Sequence, residues 1–368
     1  MKLTVQKEKI TAGLQTVQNV VGARTSLPIL ANVLLRAGEG KLDLTATDLD
    51  ITVHTGVGAE VRRPGAVTLP LKKLAAIVRE LGQEIELEAD ERSICTISSL
   101  SSVYKLNGIP ADEFPPKPQL GDGKKATIPQ QALKRMLRQT SFAVSKDETR
   151  YVLNGVLFSF SGGHLTLVAT DGRRLAHAQD DGELNGDAKG DFILPSKAVE
   201  ELNRLLSNDG EVEIRFTENH AEFVLRRQEA HPSTLTSKLI EGNYPNYKQV
   251  IPTEAKERIT LDREEFMHAL RRAEIMTSEK SNSVKLTFSK NTLVITSNSP
   301  EYGEARESLA INYKGREFAI AFNPRYLIEP LSALDTDEIF FELTDELSPG
   351  VIKINGPFLY VVMPMRLA

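Results

Sequence analysis

LTLVATDGRRLA, residues 165–176, has counterparts at LDLTATDLDI, residues 42–51, and at LVITSNSPEYGEA, residues 293–305. Each reads as a strand ending in a polar turn. Two further phrases recur in the same order. VTLPLKKLAAIVREL from Val67, FILPSKAVEELNRLL from Phe192 and IAFNPRYLIEPLSAL from Ile320 each read as a strand leading into a helix. IELEA with SVYKLNGIP, VEIRFTENHAEFVLR, and IFFELTD with LYVVMPM each read as a pair of strands. The period is about 125 residues, close to a typical domain size, and ordered matches at one spacing are the mark of tandem repeats.

Each repeat also opens with a helical stretch. Ile10, Leu14, Val17 and Val21 form an apolar stripe in the first. Leu133, Met136, Leu137 and Thr140 form one in the second, with Pro129 in the first turn, and Phe266, Ala269, Leu270 and Ala273 one in the third, with Asp262 as N-cap. Alternation such as Val212-Glu213-Ile214-Arg215-Phe216 predicts antiparallel strands with one wet face. The expected fold is α+β: three tandem copies of a two-helix, antiparallel-sheet domain. FPPKPQLGDGKK at 114–125 and VIPTEAKE at 250–257 lack periodicity and read as linkers, which sets domains at 1–122, 126–250 and 256–368.

A chain of 368 residues with 40% hydrophobic and 26% charged residues reads as soluble, and no apolar run is long enough to span a bilayer. The start, MKLTVQKEKI, lacks an apolar signal region, so the expected compartment is the cytoplasm. The single cysteine, Cys95, excludes an internal disulfide and reads as a small strand residue in SICTISS. No phosphate-binding G-x-x-x-x-G-K-[ST], G-x-G-x-x-G or G-x-S-x-G motif occurs, and His54, His164, His177, His220, His231 and His268 lack metal-ligand spacing. No cofactor or metal is expected. Asp48 and Asp171, in the two ATD turns, offer a carboxylate pair, but equivalent places in a repeat favour a shared turn role, each side chain bonding backbone two residues on.

The formal net charge is -5, yet 45 Lys and Arg residues are present and their placement is uneven. Lys72, Lys73 and Arg79, then Lys134, Arg135 and Arg138, then Lys197 and Arg204, then Arg271 and Arg272, then Arg325 fall on polar helix faces, while Glu84, Glu86, Glu88, Asp90 and Glu91 cluster in a strand and loop. One such cluster alone is a solvated helix face. Recurrence in three repeats suits phosphate contact without base reading, and Arg24 joins this DNA-facing set.

RYVLNGVLF at 150–158, ATDGRRLA at 169–176, TSKLIEGNYPNY at 236–247, YVVMPMRL at 360–367 and TSLPILANVLL at 25–35 resemble bacterial DNA sliding clamps, the DNA polymerase III beta subunit family. The resemblance runs the length of the chain. It implies the DNA clamp fold, closed as a head-to-tail homodimer ring, and a processivity factor with no enzymatic activity that encircles duplex DNA without sequence preference. Implied partners are the DNA polymerase III alpha subunit and other polymerases, a clamp loader, and mismatch-repair and ligase-type proteins, with no membrane. The implied partner-peptide groove comprises Arg150, Leu153, Thr170, Gly172, Arg173, Arg174, Leu175, Pro245, Val250, Asn323, Tyr326, Val361, Val362, Met363, Pro364, Met365, Arg366 and Leu367. Leu175, Val250, Val361 and Met363 are expected to line its deeper part; on the residues alone, Val361-Val362-Met363-Pro364-Met365 reads as a buried final strand. Gln249 and Ser281 depart from the family pattern at the rim. The implied dimer interface sets Tyr104 and Leu106 of one subunit against Ile275 and Met276 of the other. Two other readings stay open: a monomeric adaptor binding only proteins, and an enzyme using Asp48 and Asp171.

Overall fold

The computed structural model describes all residues except 23–26, 119, 122, 181, 183, 187, 228–230, 279–281 and 367–368. Three times the chain lays down the same order: a strand, a helix, a set of antiparallel strands, a second helix, and three closing strands. The helices are α1 Lys7–Val17, α2 Leu71–Glu80, α3 Gln130–Thr140, α4 Ser196–Leu205, α5 Arg263–Glu274 and α6 Pro324–Ala333.

The repeat differs from its sequence reading in four places. A strand precedes the first helix of every copy: Lys2–Gln6, Lys124–Pro129 and Glu257–Asp262. Each is too short to show a period beside the helical stripe that follows, although Leu3 and Val5, Ala126 and Ile128, and Ile259 and Leu261 all alternate inward. Pro129 closes such a strand and does not enter α3. Val21 lies beyond α1, past the 3-10 turn Gln18–Val20, although it is still buried. The closing segment holds three strands, not two; in the first copy Ile94–Ser99 lies between Glu84–Ala89 and Ser102–Asn107, with Cys95 and Ile97 facing inward.

Two compact units result. One holds residues 1–134, 184–188 and 197–239; the other holds 135–183, 189–196 and 240–368. The first contains a five-stranded and a nine-stranded sheet, the second an eight-stranded and a four-stranded sheet. The two large sheets are each half-sheets of neighbouring repeats stitched together. In the nine-stranded sheet Ser233–Lys238 runs antiparallel to Ile51–Gly58; in the eight-stranded sheet Phe358–Val362 runs antiparallel to Arg174–Gln179. The register is the same at both joints. Thr236 faces Thr52 and Ser237 faces Ile51 at the first; Val361 faces Leu175 and Val362 faces Arg174 at the second. Past its closing strand each copy makes one more bridge, to the strand before its second helix: Ile109 with Thr68, Ile240 with Ile193, Met365 with Ala321.

The core is built from the apolar stripes. Ile10, Leu14 and Val17 of α1 are buried, and α1 packs on Lys41–Thr47 and Ile51–Gly58; Phe266, Ala269, Leu270 and Ala273 of α5 do the same against Thr292–Ser299 and Gly303–Ala310. Asp262 caps α5 by accepting from Glu265 N at 2.7 Å, an interaction worth about 1 kcal/mol. Glu264 and Glu265 in its first turn and Arg271 and Arg272 in its last complement the helix dipole.

α6 starts with Asn323 accepting from Arg325 N at 3.0 Å and with Pro324 in the first turn, yet it carries Pro330 in its interior. A proline there removes the N–H that would bond the carbonyl one turn back, at Tyr326. The Tyr360 phenol, fully buried, donates to that carbonyl at 2.6 Å. Burial pushes this phenol well above the ordinary tyrosine range, so it remains a donor. The last strand is thereby pinned to α6.

Candidate functional site

The turn in ATDGRRLA organises one face of the second unit. Thr170 Oγ1 donates to Arg174 O at 2.5 Å and accepts from Gly172 N at 3.1 Å. Asp171 Oδ1 accepts from Arg173 N at 2.9 Å and Arg174 N at 3.1 Å. Gly172 sits at φ +85°, and Arg150 Nη1 lies 2.6 Å from where a Cβ would stand. Arg150 uses that space to donate to Asp171 O at 3.1 Å. The first repeat builds the same turn: Asp48 Oδ1 accepts from Asp50 N at 3.0 Å and Ile51 N at 2.7 Å, and Leu49 holds φ +80°. Both aspartates form turns, as equivalent positions in a repeat predicted.

Arg174 carries the turn inward. Its side chain is 9% exposed; Nε reaches Asp171 Oδ2 at 3.1 Å, one Nη bonds Phe142 O at 2.7 Å, and the other pairs with Glu329. The Tyr326 ring covers the guanidinium at 4.5 Å and the Phe142 ring at 5.7 Å. Burial opposes its charge, but Tyr360, Glu329 and Asp171 outweigh that and raise its pKa.

One residue on, Leu175 faces Val361 across the joint, and both belong to a buried cluster with Leu157, Val168, Ile193 and Val351. Val152, Ile240, Tyr244, Tyr247, Ile251 and Leu359 pack against it half-buried. Tyr244 Oη donates to Val168 O at 3.5 Å, and burial raises its pKa. His177, on the same face, sits 6.0 Å from the Tyr247 ring; burial lowers its pKa, and Lys248 lowers it further.

Of the expected groove residues, Leu153, Leu175, Val361 and Val362 are buried, while Thr170, Arg174, Asn323, Tyr326 and Pro364 are half-buried. Arg150, Gly172, Arg173, Pro245, Arg366 and the rim residue Gln249 are exposed. Of the four residues expected in the groove's deeper part, Leu175 and Val361 are buried, but Val250 and Met363 stand 53% and 45% exposed. The chain leaves the sheet after Val362. Met363 N donates to Arg173 O at 2.9 Å and Met365 N to Ala321 O at 2.7 Å, with both side chains projecting outward. Leu367 and Ser281 lie outside the described residues. Leu175 and Val361 are thus buried, while Arg150, Arg173, Arg366, Met363 and Met365 are exposed.

The basic helix faces are more heavily paired than their sequence suggests. Arg138 pairs with Asp335, Lys197 with Asp48, Arg272 with Glu307 at 2.6 Å and Arg325 with Glu274 at 3.2 Å. Arg204 bonds Glu201 and the carbonyls of Gln15 and Thr16. Arg135 is half-buried. Lys72, Lys73, Lys134 and Arg271 pair with no carboxylate among the described residues. Arg24 is outside those residues.

The expected interface residues lie at two unpaired sheet edges. Ser102–Asn107 ends the five-stranded sheet with Val103 63% and Tyr104 41% exposed. Gly303–Ala310 ends the four-stranded sheet. Beside it, at the end of α5, Ile275 is 73% exposed and Met276 half-buried, its Cε 3.5 Å from where a Cβ on Gly303 would stand.

Comparison with known proteins decides the family. Models of the DNA polymerase III beta subunit match in order: the N-terminal domain at residues 1–118, the central domain at 127–246 and the C-terminal domain at 248–366. The chain belongs to the DNA polymerase III beta subunit family. A beta sliding clamp of Chlamydia muridarum is 36% identical over 368 residues, covering 100% of this chain and 99% of the relative. The sliding clamp of Pseudomonas aeruginosa bound to griselimycin superposes with a TM-score of 0.93 at 35% identity, and that of Bacillus subtilis with 0.93 at 30%, each covering 100% of both chains. The three-repeat α+β fold read from the sequence is the fold of this family.

Sequence reasoning passed over the tyrosine wall at Tyr244 and Tyr247 and the Tyr360 phenol.

Proposed function

We propose that this family member is a DNA polymerase processivity factor. Two copies close head to tail around duplex DNA, slide without sequence preference, and tether polymerases and repair proteins through the groove floored by Leu175 and Val361. The observation that carries this reading is the repeated joint. Two joints of one register lie within the chain, and it leaves one edge of each kind unused, Ser102–Asn107 and Gly303–Ala310. A contact between unlike edges that closes after two copies makes a ring rather than a fibre. Cations on recurring helix faces suit the phosphate backbone. With no nucleotide-hydrolysing motif in the chain, loading onto closed DNA falls to a separate loader. The role is one of binding without catalysis, in the cytoplasm.

The groove suits exchange. Burying one aliphatic anchor is worth about 1.5–3 kcal/mol, and association costs roughly 4 kcal/mol or more, so short peptides bind modestly and polymerases can trade places. Removing residues 365–368 takes away Met365 and its bridge to Ala321. Primer extension on circular template should lose its stimulation, while sedimentation and retention on DNA stay near those of the intact chain. Undiminished processivity would place the partner site elsewhere, and an intact chain that stimulates no polymerase would sink the function itself.

A further inference from the structure

Both internal joints have one register, and that register can be carried to the free edges. Across their hairpins Thr47 faces Thr52, Thr170 faces Leu175 and Asn298 faces Glu304, so Glu304 holds the place of Thr52 and Leu175. On the opposing strand, the bridges at Ile109, Ile240 and Met365 mark equivalent positions, and stepping back along each strand by the same count reaches Lys105, Thr236 and Val361. We propose that a second copy docks in this register, which sets Lys105 directly opposite Glu304 and makes that pair the charge key of the joint between copies. The inference rests on the edge-to-edge closure proposed above and supplies its residue pairing.

The neighbouring positions fit. Leu106 falls opposite Gly303, where no side chain stands and Met276 lies within reach, and Tyr104 falls opposite Ala305. Tyr104 and Leu106 face inward, paired along their sheet with buried Ile97 and Cys95. Lys105 and Glu304 are exposed in the single chain and lie on the opposite face from that apolar contact. The equivalent pair is Thr52 with Thr236 at one internal joint and Leu175 with Val361 at the other. Only the free edges carry opposite charges there. Like charges placed directly opposite across strands destabilise a sheet, so the pair favours the unlike edge over a second copy of the same one.

The test is Lys105→Glu and Glu304→Lys, separately, mixed and combined, by analytical ultracentrifugation and native mass spectrometry. Each single variant puts like charges at both joints of its own dimer, and self-association should weaken on the order of tenfold or more. Mixing the two restores opposite charges at both joints of a heterodimer, which should form at the expense of either homodimer. The combined variant should return to the parent affinity. Leu106→Asp serves as control and should be monomeric and folded. A Leu106→Asp chain that remains dimeric overturns edge-to-edge closure. A monomeric control, together with single variants that neither weaken nor prefer each other on mixing, overturns the register while closure stands.

Discussion

The Tyr360 phenol stands in for the amide that Pro330 lacks, and this substitution of one donor for another can be measured. Tyr360→Phe keeps the buried ring and removes only the donor to Tyr326 O, 2.6 Å away. A buried acceptor left unpaired costs about 1–3 kcal/mol. For a unit of the size that contains it, this corresponds to roughly 2–4 °C of melting temperature per kcal/mol. In a Pro330→Ala background the helix regains an N–H aimed at the same carbonyl, so the hydroxyl becomes largely redundant. The cost of Tyr360→Phe should then fall below about 1 kcal/mol, a coupling of roughly 1 kcal/mol or more. The packing of the proline ring cancels, because that ring is missing from both proteins on that arm of the cycle. Urea denaturation of the four proteins, followed by circular dichroism, supplies the numbers. An equal cost for Tyr360→Phe in both backgrounds would show that the phenol does not replace the helix amide.

Arg174→Ala should cost about 3–5 kcal/mol, because Asp171, Glu329 and Phe142 O lose a buried charged partner; Arg174→Lys should recover only part, and a cost under about 1 kcal/mol would mean the network is dispensable. Alanine at Lys72, Lys73, Lys134 and Arg271 should flatten the dependence of log retention on log salt by about 0.9 per lost phosphate contact. The carboxylate-paired Lys197 and Arg325 should matter less, and a preference for particular DNA sequences would contradict the whole set. Burial pushes the Cys95 thiol up to about 12, so a thiol reagent at pH 8 should leave the native chain unmodified and label it only in denaturant; rapid native labelling would refute that burial.

The repeat was legible because apolar periodicity survives divergence, and the stripes on α1, α3 and α5 fall where it put them, except that Val21 lies past the end of α1. The opening strands were not legible, since five or six residues with two inward positions carry too little period to stand out. The pairing of the cations was not legible for a different reason. Lys197 with Asp48, Arg138 with Asp335 and Arg325 with Glu274 are far apart in the chain, so a cation that looks free in sequence is already engaged in the fold. At the terminal segment the two readings of YVVMPM each describe part of it. Val361 and Val362 close a buried strand, and Met363 and Met365 project from the chain once it has left the sheet.

One pair of positions, repeated at a fixed register, separates three behaviours on one backbone. At the first joint Thr52 faces Thr236, both buried; Thr55 bonds Ser233 across it at 3.0 Å, and Thr236 donates to Glu222 at 3.5 Å. Leu175 and Val361 offer no such bonds; they are buried beneath partners that include Tyr244, Tyr247 and Ile251. In the function proposed above, a hydrophobic peptide anchor packs beside this apolar pair. Lys105 and Glu304 are well hydrated while alone, which keeps two open sheet edges soluble where an apolar pair would invite indiscriminate stacking. The same backbone register carries a threonine pair at one internal joint and a leucine–valine pair at the other, and the pairing proposed above would add a charged pair between copies. Exchanging Leu175 and Val361 for threonines should therefore abolish peptide binding while leaving the joint paired, because the hydrogen-bond ladder does not depend on which pair it carries.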